Sequence, residues 1–257
     1  MQSRFHQDAL RRLAVRYEVD AAAERALRAR ASALGISLPP SFVEWYSMRG
    51  GIALLGRHSN CDDPIEIEKL GLPIRWRWQA KHDLVREGLL LFMVENQAVS
   101  IWAVKLDDGD DPPVVLARDP ELEWRLCAPS FSTFIACQAW DHVEVFGEVD
   151  TNGRRSLLQA QASPLRAQDL GFLRERFTEE PSTHGWPGNN QYRFQRGDSR
   201  ILIWDSDDQA DWFITAGTQE HLAEVARELW RCGDLSSSLW SNDEGGMAVL
   251  KILRGQD

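Results

Sequence analysis

A tract of four aspartates, Asp107-Asp108-Gly109-Asp110-Asp111, has residue types and a spacing that could do chemistry. Carboxylates crowded in one turn can bind a divalent cation or attract a positively charged protein surface. The EF-hand pattern fails, because Arg118 stands where that loop needs a glutamate and Pro112-Pro113 interrupts it. We expect the four carboxylates to project together into solvent, either as a turn that only maintains solubility or as a contact site for a basic partner.

A second candidate contact segment is Ile74-Arg75-Trp76-Arg77-Trp78, in which apolar and basic residues alternate. In a strand this alternation places the tryptophans on one face and the arginines on the other. Exposed indoles beside arginines would form a contact surface, whereas buried ones would belong to the core. The candidate partner-binding residues are therefore Asp107, Asp108, Asp110, Asp111, Trp76 and Trp78.

The sequence predicts neither a metal site nor a cofactor. His58 and Cys61 are three residues apart, but no second pair completes the four ligands that structural zinc takes. The four cysteines are scattered without a C-x-x-C pair, which is typical of reduced cytosolic thiols.

Motifs of the common enzyme classes are absent from the sequence. It contains no G-x-S-x-G, no phosphate-binding loop and no G-x-G-x-x-G. Acidic residues together with eleven tryptophans would suit a glycan-active enzyme, which needs two carboxylates about 5–9.5 Å apart across a cleft. Many acidic pairs could meet that requirement, so we predict a protein that is not an enzyme and keep this alternative open.

The net charge of −10 is concentrated in the middle of the chain, where residues 61–150 have 18 Asp+Glu against 8 Lys+Arg. This region would repel nucleic-acid phosphates and attract a basic protein instead. No apolar run approaches the roughly 18 residues of a membrane span, and the N-terminus lacks the apolar core of a secretory signal. We therefore expect a cytoplasmic protein without a membrane or direct nucleic-acid partner.

The elements that would position these residues begin with three helices. Apolar spacing predicts the first over residues 6–18. Asp20 is a predicted N-cap and Gly35 a predicted C′ residue for a second helix over 21–34. A third opens at Pro40, and the glycine pair Gly50-Gly51 is expected to end it. Its aromatic residues lie at i, i+3 and i+4 and should be buried together: Phe42, Trp45 and Tyr46.

A meander and a further helix follow. Apolar runs at 88–94, 99–106 and 114–116 are separated by turn residues and predict antiparallel strands. The alternating residues 65–68 predict a short edge strand. Ser130 is the predicted cap of a helix that carries Phe131 and Phe134 on its buried face. We expect one shared core of Phe42, Trp45, Trp102, Phe131 and Phe134.

This arrangement resembles the SUKH superfamily over roughly residues 30–140. One stretch is Leu38-Pro39-Pro40-Ser41-Phe42-Val43-Glu44-Trp45-Tyr46, followed by Gly50-Gly51, which is similar to the family's helix with paired aromatics and a glycine pair. The other is the meander with its acidic turn, Trp124 and the ending Ser130-Phe131-Ser132-Thr133-Phe134-Ile135. The resemblance implies an α+β fold of helices packed on an antiparallel meander.

The resemblance also implies a binding role. Most members are bacterial immunity proteins against polymorphic toxins, and the family includes a fungal cell-wall-assembly regulator. We therefore expect an immunity protein that binds and occludes a cognate toxin, with a nuclease among the candidate toxins. Its acidic side chains would take the place of the toxin's phosphate-bearing substrate. An intracellular scaffold or regulator of SUKH type is the alternative.

A second, smaller α+β domain is predicted from residue 148 onward, after the first domain of residues 1–147. Its expected elements are a helix opened by Ser163-Pro164, a loop over 181–190, a three-stranded meander and a final helix. The strands are predicted at 192–195, 201–204 and 212–215, and the helix is capped by Thr218 and ended by Gly233. Residues 247–253 read as a last strand.

Overall fold

The computed structural model describes residues 2–56, 62–76, 80–118, 123–147, 156–232 and 234–255. The fold is α+β, and the chain forms two compact units, Met1–Trp140 and Asp141–Asp257. The polar stretch that the sequence predicts as the domain boundary, residues 148–155, lies outside the described residues.

Four short helices open the first unit. They are α1 Gln7–Leu13, α2 Ala21–Leu34, α3 Pro40–Tyr46 and α4 Gly51–Gly56. The first is shorter than predicted, because Ala14 takes a left-handed conformation (φ 52°) and closes the helix with its backbone N–H. The second has the predicted bounds. The Asp20 carboxylate accepts hydrogen bonds from the N–H groups of Ala22 and Ala23, and Gly35 (φ 67°) ends the helix.

The glycine pair has a different role from the predicted one. The third helix already ends at Tyr46, and Gly51 begins α4 instead of terminating α3. Gly50 has a positive φ of 74°, which favours glycine. A Cβ atom on Gly51 would lie only 2.2 Å from the Trp45 carbonyl oxygen, so the two helices approach too closely for any side chain there.

Seven strands follow among the described residues of the first unit. They are β1 Asp62–Pro64, β2 Ile74–Trp76, β3 Ala80–His82, β4 Leu89–Glu95, β5 Ser100–Lys105, β6 Val114–Arg118 and β7 Arg125–Ala128. Five form an antiparallel sheet in the order β1-β4-β5-β6-β7, which contains the predicted meander, and β2 pairs with β3 in a separate hairpin. The edge strand predicted at 65–68 is wrong. The strand lies at Asp62–Pro64, and Ile67–Lys69 forms a 3-10 turn.

The helical face of this sheet carries an aromatic core. Helix α5 (Phe131–Trp140) is capped as predicted, because the Ser130 hydroxyl accepts the N–H of Thr133 at 3.1 Å. The ring of Phe131 lies 5.2 Å from that of Phe42 and 5.3 Å from that of Phe92. Burial of the five predicted core residues is confirmed, since each of Phe42, Trp45, Trp102, Phe131 and Phe134 is at most 2% exposed. Phe92, a bulge residue of β4, is an additional member.

The opposite face of the same sheet carries a second buried cluster. Its members are Leu84, Leu89, Leu91, Ile101, Ala103, Val115 and Ala117. Trp124 is partly buried and packs against this cluster. Alternate residues of β4, β5 and β6 therefore face two different apolar environments, which explains why these strands read as nearly continuous apolar runs.

The second unit is built on a six-stranded antiparallel sheet. After a π-helical turn at Asp141–Val145, its elements in chain order are β8 Ser156–Ala162, α6 Ala167–Arg176, β9 Thr178–His184, β10 Asn190–Arg196, β11 Ser199–Asp205, β12 Ala210–Ala216, α7 Gln219–Leu229, α8 Leu235–Ser238, β13 Leu239–Trp240 and α9 Glu244–Arg254. The strand order is β13-β8-β12-β11-β10-β9. The three predicted strands are thus the centre of a larger sheet.

Capping interactions set the first residues of α6 and α7 in this unit. The helix predicted from Ser163 begins instead at Ala167, after Arg166, whose backbone N–H donates to the Asp169 carboxylate at 3.1 Å. The cap of α7 is confirmed, because the Thr218 side chain accepts the N–H of His221 at 3.2 Å. That helix ends at Leu229, and the predicted terminator Gly233 lies outside the described residues.

Two other predictions for this unit are wrong. The loop expected over 181–190 contains the second half of strand β9, where Pro181 stands in an edge strand. Prolines are tolerated there because one side of the strand needs no ladder hydrogen bond. Residues 247–253 are helical, within α9, and the Asp243 carboxylate caps that helix by accepting the Gly246 N–H at 2.7 Å.

The sheet also holds a buried ion pair. The Arg193 guanidinium donates to both carboxylate oxygens of Asp141, at 2.7 and 2.6 Å. Its remaining N–H groups reach the hydroxyl of Thr183 and the carbonyl oxygens of Pro181 and Gln191. Burial raises the pKa of the Asp141 carboxyl, and the adjacent guanidinium opposes that shift.

Candidate partner-binding site

The acidic turn connects β5 to β6 and holds its carboxylates in two different environments. Asp107, Asp108 and Asp110 are exposed, whereas Asp111 is partly buried. Asp111 accepts the backbone N–H of Ser132 at 2.9 Å and also the Ser132 hydroxyl. A carboxylate at the first turn of α5 complements the helix dipole there, so Asp111 has a structural role. It does not project into solvent with its neighbours as expected.

Asp110 also has a partner within the unit. Its carboxylate lies 2.9 Å from Nη2 of Arg4, with both side chains more than half exposed, and its backbone carbonyl accepts the Ser41 N–H at 2.9 Å. The ion pair is solvent-screened and adds little stability. It nevertheless sets a positive charge beside Asp110, which offsets the negative charge of that carboxylate. The most available carboxylates of the tract are those of Asp107 and Asp108.

The Glu44 carboxylate holds the N-terminal segment that presents Arg4. This carboxylate accepts the Ser3 hydroxyl at 2.6 Å and the N–H groups of Arg4 and Phe5, each at 2.9 Å. Burial alone would raise the pKa of Glu44, but these hydrogen bonds outweigh it and lower the pKa. The segment is therefore pinned to α3, close to the acidic turn.

His6 completes this anchorage inside the core. Its Nε2 atom lies 2.8 Å from the Ser41 carbonyl oxygen, and its ring packs edge-on against Trp45 at 5.0 Å. Burial lowers the pKa of His6, although the Ser41 hydrogen bond and the charges of Glu44 and Asp111 oppose the shift. A neutral ring that donates to the carbonyl explains how this histidine sits among aromatic side chains.

Asp107 and Asp108 line an open cleft of about 510 Å³. Its other lining residues are Glu87, Gly88, Leu89, Lys105, Val115 and Trp124. The turn is held against the start of β4 by the Leu106 N–H, which donates to the Gly88 carbonyl oxygen at 2.9 Å. Strands far apart in the sequence thus bring two turn aspartates beside a tryptophan.

The cleft combines an apolar lining with a mostly negative charge. Leu89 and Val115 are buried, and Trp124 is partly buried. The charged lining residues are three carboxylates and one ammonium, whose Nζ lies 4.0 Å from the Asp108 carboxylate. The acidic tract in the sequence indicates the two aspartates as site residues but not Glu87, Lys105 or Trp124. These residues meet the aspartates only through pairing of strands that are distant in the sequence, and no short sequence pattern indicates such pairing.

The second predicted contact segment lies only partly within the described residues. Trp76 is the last residue of β2 and pairs with Ala80 of β3, and its side chain is not described. Trp78 lies outside the described residues. Their part in partner binding stays a prediction.

Metal ligation has no candidate group within the part of the chain that the structure describes. No set of three His, Cys, Asp or Glu side chains in those ranges is placed to hold an ion. The pair His58 and Cys61 lies outside the described residues.

The helices, the meander and the aromatic core of the first unit can be compared with known families. The model of the SMI1/KNR4 family (SUKH-1) matches residues 21–137. These residues therefore match the SUKH superfamily. The predicted resemblance is therefore confirmed.

The SUKH match runs from the start of α2 into α5 and includes every residue that lines the cleft. The second unit lies beyond it. No curated protein and no solved structure matches the chain. Within the described ranges, no helix has both the length and the apolarity to cross a bilayer.

Proposed function

We propose that this SUKH protein is an immunity protein that binds and occludes a cognate toxin with a basic surface. The supporting observation is the cleft in its SUKH domain, where Asp107, Asp108 and Glu87 gather beside apolar residues. The segments that carry these groups connect directly to strands of the antiparallel sheet, and groups that are positioned before binding lose little freedom when a partner binds.

Occlusion of the toxin would be steric and electrostatic. A toxin that acts on nucleic acid needs a basic surface for the phosphates, and exposed carboxylates complement that surface. The central excess of negative charge steers the encounter over a Debye length of about 8–10 Å at moderate salt. The association rate should therefore fall as salt rises, whereas dissociation should change little.

A regulatory SUKH protein would use the same kind of surface for another cellular partner. A toxin gene beside the gene for this chain favours the immunity role, and a neighbourhood without one favours the regulator. Both roles are binding roles without catalysis by this chain.

The test is co-expression of the neighbouring toxin with the parent protein or with the double variant Asp107→Asn/Asp108→Asn. We expect the variant to protect fewer cells and to associate more slowly at low salt, with the difference shrinking at high salt. These two residues are chosen because Asp110 and Asp111 also hold contacts within the fold.

The matched control is Glu220→Gln/Glu224→Gln, which removes the same charge from exposed positions of α7 in the second unit. This control should protect like the parent. Full protection by the aspartate variant, with an unchanged association rate, would move the interface away from the turn. The segment of Trp76 and Trp78 would then be tested next.

A further inference from the structure

The cleft beside the acidic turn presents two chemistries at once. Leu89, Val115 and Trp124 form an apolar part of its lining, and carboxylates of Asp107, Asp108 and Glu87 form a charged part. Its volume of about 510 Å³ lies within the range of roughly 300–1,000 Å³ that holds small ligands. That volume has room for one long side chain and its flanking backbone.

A lining that is partly apolar and partly acidic favours a particular kind of side chain as its ligand. A purely apolar side chain would leave the carboxylates without a partner, and an acidic one would be repelled. A side chain with an aliphatic stem and a cationic head satisfies both parts. Arginine fits better than lysine, because its planar guanidinium stacks on an indole and binds carboxylates with two parallel hydrogen bonds.

We propose that this cleft is the anchor pocket for a single arginine side chain of a partner protein. The proposal rests on the proposed function, since it names the group that the partner would insert. The stem of that arginine lies along Leu89, Val115 and Trp124, and its guanidinium faces Asp107 and Asp108. An arginine that packs on an indole and pairs with carboxylates is the kind of residue that dominates the affinity of a protein interface.

Substitution of Lys105 should change arginine affinity in the opposite direction from substitution of the aspartates. Its Nζ lies 4.0 Å from the Asp108 carboxylate with both side chains about half exposed, so it is a resident cation of the cleft. An incoming guanidinium shares the carboxylates with Lys105 and is repelled by it. Neutralising Lys105 should therefore tighten arginine binding, while neutralising the aspartates should weaken it.

The experiment titrates the full-length protein with N-acetylarginine amide and follows the indole N–H resonance of Trp124 by NMR. The Trp124→Phe variant assigns that resonance. N-acetylcitrulline amide, a neutral isostere, and N-acetyllysine amide serve as comparison probes. We expect saturable binding of the arginine probe with Kd of about 1 mM, because a single side chain offers few contacts.

Exposed charge pairs of this kind are each worth a few-fold in affinity. Asp107→Asn/Asp108→Asn should weaken binding of the arginine probe about three- to tenfold. Lys105→Gln should strengthen it about two- to fivefold, and Glu220→Gln/Glu224→Gln should leave it within about twofold.

Three results would overturn the assignment. They are an absence of saturable shifts at Trp124, equal binding of the citrulline probe, and equal binding of the lysine probe. The probe needs no toxin, so its outcome is independent of the co-expression test. If the protein binds the arginine probe but protects no cells, the arginine pocket stands and the proposed immunity role is wrong. If it protects cells but does not bind the probe, only the arginine pocket is wrong.

Discussion

At the residue scale, the buried pair of Asp141 and Arg193 shows how a charge is tolerated inside a sheet. The Arg193 side chain is 1% exposed, and its guanidinium donates to five oxygen atoms of the same unit. Pairing of this quality offsets part of the cost of removing both charges from water, and the raised pKa of Asp141 shows that burial still outweighs it. Removing one partner would leave the other charge buried without compensation.

Asp141→Asn should therefore lower the free energy of unfolding by about 3–5 kcal/mol. The measurement is urea denaturation of the parent and the variant. The double variant Asp141→Leu/Arg193→Met is the comparison, because an apolar pair of similar volume should recover much of that loss. A single variant as stable as the parent would mean that the pair contributes no net attraction.

His6 predicts a pH dependence of stability. Burial lowers its pKa below the ordinary value of 6.5, so the unfolded chain binds a proton that the folded chain refuses. Stability is therefore full above about pH 6.5 and is lost as the pH falls from there to the folded pKa.

Urea midpoints of the parent and of His6→Gln at about pH 7.5 and pH 5.5 would measure this effect. The parent should lose more stability than the variant between the two values. Glu44 should not blur the comparison, because its pKa lies below the ordinary value of 4.5, outside that window. An equal loss in both proteins would assign the pH dependence to other groups.

At the element scale, helix α5 is docked through Phe131, whose ring lies between those of Phe42 and Phe92. Phe131→Ala removes a fully buried ring and should cost about 3–5 kcal/mol, measured by thermal or urea unfolding. Phe131→Leu keeps most of the volume and should cost less. If Phe131→Ala unfolded like the parent, the helix would not depend on this contact.

Residues that cap helices made the bounds of some helices predictable from the sequence. Asp20 and Gly35 bound α2 as expected, and Thr218 caps α7. Helix α9 was not predictable in the same way, because Gly245 and Gly246 are poor helix formers. The structure requires glycine at 246, where a Cβ atom would lie 2.5 Å from the Leu157 backbone carbonyl oxygen; a Cβ atom on Gly245 would meet the Ser156 hydroxyl, which can rotate away.

The candidate site was predictable only in part for a related reason. Asp107 and Asp108 stand out in the sequence as members of an acidic tract. Glu87, Lys105 and Trp124 join them through strand pairing, which brings together residues from four separate segments. Tertiary contacts also decide that Asp111 caps α5 instead of facing solvent, and no composition pattern encodes that difference.

At the scale of the whole molecule, each unit has its own sheet and its own buried clusters. Each unit also exceeds the size at which a domain can bury an independent core. We therefore propose that residues 1–140 and 141–257 each fold alone. Separately expressed fragments should show cooperative thermal unfolding and dispersed NMR spectra. A fragment that is unstructured under native conditions would show that the units depend on one another.

Strand β9 affects whether molecules of this protein associate through their sheet edges at high concentration. It lies at one edge of the six-stranded sheet, where unpaired backbone groups could recruit a strand from another molecule. Pro181 removes one N–H donor from that edge, and the ion pair of Glu179 with Arg174 and the carboxylate of Glu180 place charged groups on the strand. The three-residue strand β1 ends on Pro64 at the edge of the other sheet. These edges make poor templates for fibril growth, so we expect no lateral strand addition there when the protein is concentrated.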